Sequence, residues 1–198
     1  MPKIGMEPIR RKALIDAAIA AIGDRGALNV TVSDIAGRAG VSSALAHHYF
    51  GNKDRLLEAT MRSLLTELGQ DARTGLKAAR SLKERARAVI DANFSANQFA
   101  PATVAAWLAF FVEANRTPPI GHLMRIYRRR LNSNLLHALA PLTGRTHAER
   151  IAEGIAALID GLYIRRASEP SEAGRISALA LIHNYLDTQL ELHPNRGH

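Results

Sequence analysis

The chain has 198 residues, 47% of them hydrophobic and 22% charged, a balance that excludes disorder and collagen-like repeats. It holds no cysteine, so a disulfide framework, a thiolate nucleophile, a zinc ribbon or an iron–sulfur cluster cannot be built from it. Twenty-six Lys and Arg against eighteen Asp and Glu give a formal charge of +8, which points toward polyanions such as nucleic acid or an anionic membrane surface.

The N-terminal stretch, interrupted by Glu7 and Asp16, does not read as a secretory signal. Helical periodicity runs through most of the chain without alternating β-branched runs, so an all-α fold is expected. Leu14, Ile15, Ala18, Ile19 and Ile22 form the apolar stripe of a first helix, opened near Pro8 and stopped over 23–26. Thr31 caps a short second helix, with Asp34 at the third helical position, and Gly40 ends it. A third helix runs from Ser42 to about Tyr49. A fourth follows from about Asn52 to Gly69, with Leu56, Leu57, Thr60, Leu64 and Leu68 on its apolar side. Ser81 and Glu84 predict a capping box for a helix reaching about Gln98. Pro101 opens a helix to Glu113, which completes the nearly uncharged stretch from Asn93 to Val112. That stretch contains no apolar run long enough to span a membrane. Pro118 and Pro119 start the next helix, ending near Pro141. Thr146 and Glu149 are expected to cap a long helix through Arg166, and the turn Glu169-Pro170-Ser171 leads into the last, ending near Leu192. About nine helices result.

Residues 1–55 carry eight basic and five acidic side chains, and 56–198 carry eighteen and thirteen. By this division the positive excess is spread, and its placement has to come from pattern. The pattern is Thr31-Val-Ser-Asp-Ile-Ala-Gly-Arg-Ala-Gly-Val-Ser-Ser-Ala-Leu-Ala-His-His-Tyr-Phe50, two short helices joined at a glycine. Such a helix-turn-helix places its second helix in the DNA major groove. Ala36 is small where the helices cross, Gly40 permits the positive φ of the turn, and Ile35, Val41 and Leu45 are spaced to fill the core between them. Ser42, Ser43 and Ala44 fall at the end of the recognition helix where side chains reach base edges. Thr31 joins them as a candidate DNA contact, and Lys3, Arg10 and Arg11 form a basic leading arm.

The signature Thr31-Val32-x-Asp34-Ile35-Ala36-x-x-Ala39-Gly40-Val41-Ser42, followed by Tyr49-Phe50-x-x-Lys53, resembles the TetR family of bacterial repressors. The segments Met1 to Arg11, Ala106 to Phe110, Arg129 to Leu135 and Ala156 to Leu162 resemble a narrower, choline-responsive group within it. The resemblance implies a homodimer that reads a palindromic operator in double-stranded DNA. It also places His47, Tyr49 and Lys53 at positions that clamp the phosphate backbone. Ala44, Ala46 and His47 depart from the pattern of that group, which leaves the operator open. A DNA-binding domain over 1–53 and a ligand-sensing and dimerisation domain over 54–198 are expected.

The last two helices carry Ile151, Ile155, Leu158 and Leu162, then Ile176, Leu179, Ile182, Tyr185 and Leu186, interleaved with Gly154, Ala157 and Gly161. Such a pair can form a two-fold four-helix interface or an intramolecular core. A choline sensor needs aromatic faces around a quaternary ammonium, with a carboxylate for charge. Trp107, Phe110 and Phe111 share one helix face, and Asp160 and Tyr163 share another, so these five are the candidate effector residues, with Phe94, Phe99 and Tyr127 behind them. Another apolar or cationic effector, controlling an efflux or catabolic operon, fits the same DNA-binding features. No H-E-x-x-H, G-x-S-x-G or Walker-type motif is present, so no catalytic site, metal or cofactor is expected. A nonspecific DNA-coating protein is favoured by charge alone. The overall expectation is a soluble, cytoplasmic regulator with no membrane partner.

Overall fold

The computed structural model describes residues 5–167 and 171–195; Lys3 of the leading arm and Glu169 and Pro170 of the expected turn lie outside them. Among the described residues there are nine helices and no strand. They are α1 (Met6–Arg25), α2 (Val32–Arg38), α3 (Ser43–Phe50), α4 (Lys53–Ala78), α5 (Leu82–Asn93), α6 (Pro101–Glu113), α7 (Pro118–Thr143), α8 (Arg145–Arg166) and α9 (Glu172–Leu192). None of these helices is long and apolar enough to cross a membrane. Two compact units result. One comprises the described parts of Met1–Thr66 together with Pro101–Met124, and the other those of Glu67–Ala100 together with Arg125–His198.

In the first unit α1 packs chiefly on α6 and α2. Gly23 does not stop α1 as its residue type suggests. It lies inside the helix, and a Cβ there would fall 2.7 Å from both Cα and Cβ of Ala102 on α6, so this crossing requires a residue without a side chain. The stop is Gly26, at φ +63°, whose N–H bonds the Ile22 carbonyl at 2.8 Å. Leu14, Ala18, Ile22, Val30, Ile35, Leu56, Met61 and Phe110 are fully buried in this unit. Of the three residues expected to fill the core between α2 and α3, only Ile35 is buried. Val41 and Leu45 are half-buried, and Ala46 is the buried residue of α3 alongside Phe50.

In the second unit α8 packs on α9, and α9 also touches α5. Four expected helix ends differ. The Ser81 hydroxyl accepts from the Glu84 N–H, but the Glu84 carboxylate accepts from the N–H of Arg80 rather than that of Ser81, so the cap is offset by one residue. Helix α5 then stops at Asn93, short of Gln98, because the chain turns into the aromatic loop through Phe94 and Phe99. Helix α8 is capped by Gly144 with no side-chain bond, and Glu149 pairs with Arg145 instead of closing a box with Thr146. Helix α4 also runs to Ala78, past the glycine expected to end it.

The apolar residues of α8 and α9 divide into two sets. Ile151, Ile155, Leu162, Ile182 and Leu186 form the intramolecular core instead of an outward interface. Gly154 is small for the same inward purpose, since a Cβ there would meet the Tyr185 hydroxyl at 2.2 Å. Ile164, Ile176 and Leu181 are exposed, and Gly161 faces open space.

Candidate functional site

The DNA-reading candidate is assembled by local bonds. The Thr31 hydroxyl accepts from the Asp34 N–H at 3.0 Å while the Asp34 carboxylate accepts from the Thr31 N–H at 3.3 Å, a complete capping box. Arg25 of α1 donates to that carboxylate at 2.8 Å, and Arg38 pairs with Asp24, so α2 is held to α1 by charge at both ends. Hydrogen bonding by Thr31, with help from Arg25 and Arg38, holds the Asp34 carboxyl below the usual carboxylate range. Gly40, at φ +66°, makes the turn, and the Val41 N–H returns to the Ala36 carbonyl at 3.0 Å.

Helix α3 starts with the Ser42 hydroxyl accepting from the Leu45 N–H at 3.2 Å, and Ser43 bonds Ser33 of α2 at 3.3 Å. Both serine hydroxyls therefore carry structural bonds at the end that faces outward. Ala44, His47 and His48 are the exposed residues of the helix. His48 is not among the residues that motif spacing singles out, although it stands four residues after Ala44 on the same face. The Nδ1 of His47 donates to the Gly51 carbonyl at 2.9 Å, which leaves Nε2 to donate to a phosphate only in the imidazolium form. Tyr49 and Lys53 are half-buried, and Arg10 is exposed.

Arg11 occupies a different position from its neighbour. Its Nη1 donates to the Tyr49 carbonyl at 2.8 Å, and its guanidinium lies over the Phe50 ring at 4.6 Å. It ties α1 to the last turn of α3.

The effector candidates fall into both units. In the first, Trp107 and Phe110 of α6 are buried, and half-buried Phe111 lies 6.0 Å from the Trp107 ring. In the second, Phe94, Phe99 and Tyr163 meet pairwise at 5.6–5.8 Å, all nearly fully buried. The Tyr163 hydroxyl donates to the Asn93 backbone carbonyl, and the Tyr127 hydroxyl donates to the Asn93 side-chain oxygen at 3.0 Å. Tyr127, Phe94 and Phe99, which the sequence places behind the other candidates, are thus partners of Tyr163. Asp160 acts electrostatically on both tyrosines; burial first, then its negative charge, raises the Tyr127 phenol. Burial also raises the Asp160 carboxyl, and Arg128 opposes that shift. A partly buried carboxylate whose charge acts on two tyrosines is suited to a cation that cannot donate hydrogen bonds. Among the described residues no group of three or more His, Asp or Glu side chains is placed to hold a metal.

Residues 14–60 match the family of bacterial regulatory proteins named for tetR, and residues 82–191 match the C-terminal part of BetI-type transcriptional repressors. The chain is 57% identical over 195 residues to the HTH-type transcriptional regulator BetI of Brucella melitensis biotype 2, covering 98% of each chain. It is 55% identical to that of Agrobacterium fabrum, covering 98% of this chain and 95% of the other. The fold is similar to that of a transcriptional regulator from Pseudomonas aeruginosa PAO1, with a TM-score of 0.77 at 23% identity over 93% of this chain and 91% of that one. It is also similar to that of a Saccharomonospora viridis regulator solved in complex with choline, with a TM-score of 0.75 at 20% identity over 89% and 95%. With a helix-turn-helix built to the family signature and relatives matched along nearly its whole length, the chain belongs to the TetR family of transcriptional regulators, with a C-terminal part of the BetI type.

Proposed function

We propose that the protein is a homodimeric repressor whose operator binding is controlled by choline, and that it governs the conversion of choline to glycine betaine. The observation that carries this reading is the 57% identity to BetI regulators across 98% of the chain. The Asp160 carboxylate, whose charge acts on Tyr127 and Tyr163, supports a cationic effector, and the choline bound to a regulator of similar fold is consistent with it. Residues 1–53 read DNA and 54–198 sense the effector and dimerise.

In the DNA-reading part, Thr31, Ser42, Ser43 and Ala44 stand at the operator surface, with His47, Tyr49 and Lys53 on the phosphates, Arg10 in the leading arm, and Arg11, expected with it from the sequence, bracing the last turn of α3. Half-sites of the palindrome are centred about 34–36 Å apart or a multiple of that. The dimer forms through α8 and α9, where exposed Ile164, Ile176 and Leu181 and the open side of Gly161 supply an apolar, close-packing face. Choline is held by Asp160 and Tyr163; the aromatic candidates of α6 are Trp107, Phe110 and Phe111. It binds better to a state whose reading heads are misspaced, and weakens operator affinity by that difference.

The test is a titration of the purified dimer against DNA from its own upstream region, with and without choline at one salt concentration. Tight, sequence-dependent binding that choline relieves or remodels is expected. Tight binding indifferent to choline would transfer the repressor to another effector, and an operator-to-random affinity ratio near one would end the repressor reading itself.

A further inference from the structure

The charge of +8 is less evenly distributed than a two-part division suggests. Residues 118–150, which make up α7 and the first turns of α8, contain six arginines and a single acid, Glu149, and so carry a net +5. Residues 1–55, which include the helix-turn-helix, carry +3. All six arginines, at 125, 128, 129, 130, 145 and 150, are exposed. Arg145 pairs with Glu149 and Arg128 acts on Asp160, whereas Arg125, Arg129, Arg130 and Arg150 form no ion pair among the described residues.

Helix α7 itself has no acidic residue along its 26 positions. Arg125, Arg129, Ser133 and His137 recur every fourth residue on its solvent side, about 6 Å apart along the axis. Beside this row lies an open groove of about 540 Å³, whose polar lining is Arg129, Asn132, Ser133, His137 and Arg145. Guanidinium, amide and hydroxyl groups are the side chains that bind phosphate oxygens. No carboxylate lines the groove itself, and of its two arginines only Arg145 is paired among the described residues, with Glu149 outside the lining.

We infer that the exposed face of α7, with Arg145, is a second nucleic-acid surface, one that binds the phosphate backbone of duplex DNA without regard to sequence and separately from the helix-turn-helix. Three alternatives fit less well. A single small anion cannot use donors spread over three turns of helix in an open groove. A bilayer surface calls for apolar side chains beside the basic ones, and no large hydrophobic residue between 118 and 150 is exposed. A purely solvated helix face normally mixes the two signs of charge, and this one carries one sign.

The experiment uses the full-length protein and a fluorescent duplex of random sequence, measured with and without a saturating operator fragment across a range of salt. The operator-saturated protein is expected to bind the random duplex, with an affinity that falls steeply as salt rises. Replacing Arg125, Arg129 and Arg145 together by Gln should weaken that binding at least tenfold and reduce the log–log salt slope by about 0.9 for each phosphate no longer neutralised. Operator affinity should stay within twofold. Removing three charges elsewhere in the same unit, as Arg73→Gln, Lys77→Gln and Arg80→Gln, should leave the random duplex bound. The inference fails if the operator-saturated protein binds no second duplex, if the control triple acts as strongly, or if vesicles with anionic lipid are bound where DNA is not. Loss of operator specificity, by contrast, strikes only the repressor reading, because the random-duplex comparison between wild type and the α7 triple needs no operator.

Discussion

Around the helix-turn-helix, the bonds that cap its helices and set their start join residues close in sequence, with Arg11 to the Tyr49 carbonyl, thirty-eight positions apart, as the exception. Thr31 closes its box three residues away, Ser42 caps three residues away, and Arg25 reaches nine positions to Asp34. Around Tyr163 the same task spans the chain: its hydroxyl meets Asn93 seventy positions earlier, and Tyr127 reaches Asn93 across thirty-four. The first arrangement is carried by spacing, because capping and turn chemistry depend on neighbours. The second depends on how segments far apart in the chain pack together.

The largest effect should come where the locally built unit depends on a long-range contact. A valine at Gly23 would place its Cβ against the backbone of Ala102, where nothing flexible can yield. Gly23→Val should destabilise the protein by about 2–3 kcal/mol, read as a lower urea midpoint. An unchanged midpoint would mean that α1 and α6 are not held by this crossing.

Next in size is Asp160→Asn, which removes the proposed counter-charge for choline. Choline affinity should fall about 10–30-fold, roughly 1.4–2 kcal/mol, with operator affinity in the absence of choline within twofold. The pH dependence sharpens the same contrast. Burial raises the Asp160 carboxyl in the folded state, so its contribution to stability is fully present below the ordinary value of 3.8 and is lost as pH rises through the raised one. A bound cation favours the ionised form. The stabilisation by choline should therefore grow with pH across that window in the wild type and stay flat in Asp160→Asn, measured as the shift in Tm.

Thr31→Ala tests the local side more gently. Loss of the cap should cost about 1 kcal/mol, seen in urea unfolding. Asp34 titrates with the opposite sign to Asp160. Its folded pKa is lowered, so its contribution is present above the ordinary value of 3.8 and disappears as pH falls through the lowered one. Acid unfolding of Thr31→Ala should lack that component.

The same division explains what is legible in the sequence. The nine helices among the described residues, the Thr31 box and the Gly40 turn follow from periodicity and from residues with one conformational preference. Gly23 misleads because glycine serves two purposes, ending a helix or letting another approach, and only the presence of Ala102 decides between them. Ile151 and Ile182 read equally well as interface or core, because helical spacing identifies an apolar stripe but not what covers it. Phe94, Phe99 and Tyr127 stand out less than Asp160 in the sequence because none shares a helix face with Tyr163; the loop after α5 and the packing of α7 bring them there.

The smallest effect separates two adjacent arginines that composition cannot distinguish. Arg10 is exposed, and in the proposed reading it meets phosphate, so Arg10→Gln should weaken operator binding a few-fold and reduce the salt slope by about 0.9. Arg11 already donates to the Tyr49 carbonyl and covers the Phe50 ring. Arg11→Gln should weaken operator binding through a looser α3 while leaving the slope unchanged. Arg11→Lys should not restore it, since an ammonium lacks the planar face that lies on Phe50 and the fork that reaches the carbonyl. A slope reduced equally by both glutamines would place the Arg11 guanidinium on the DNA as well, and the boundary between holding the recognition helix and contacting its target would then run through a single side chain.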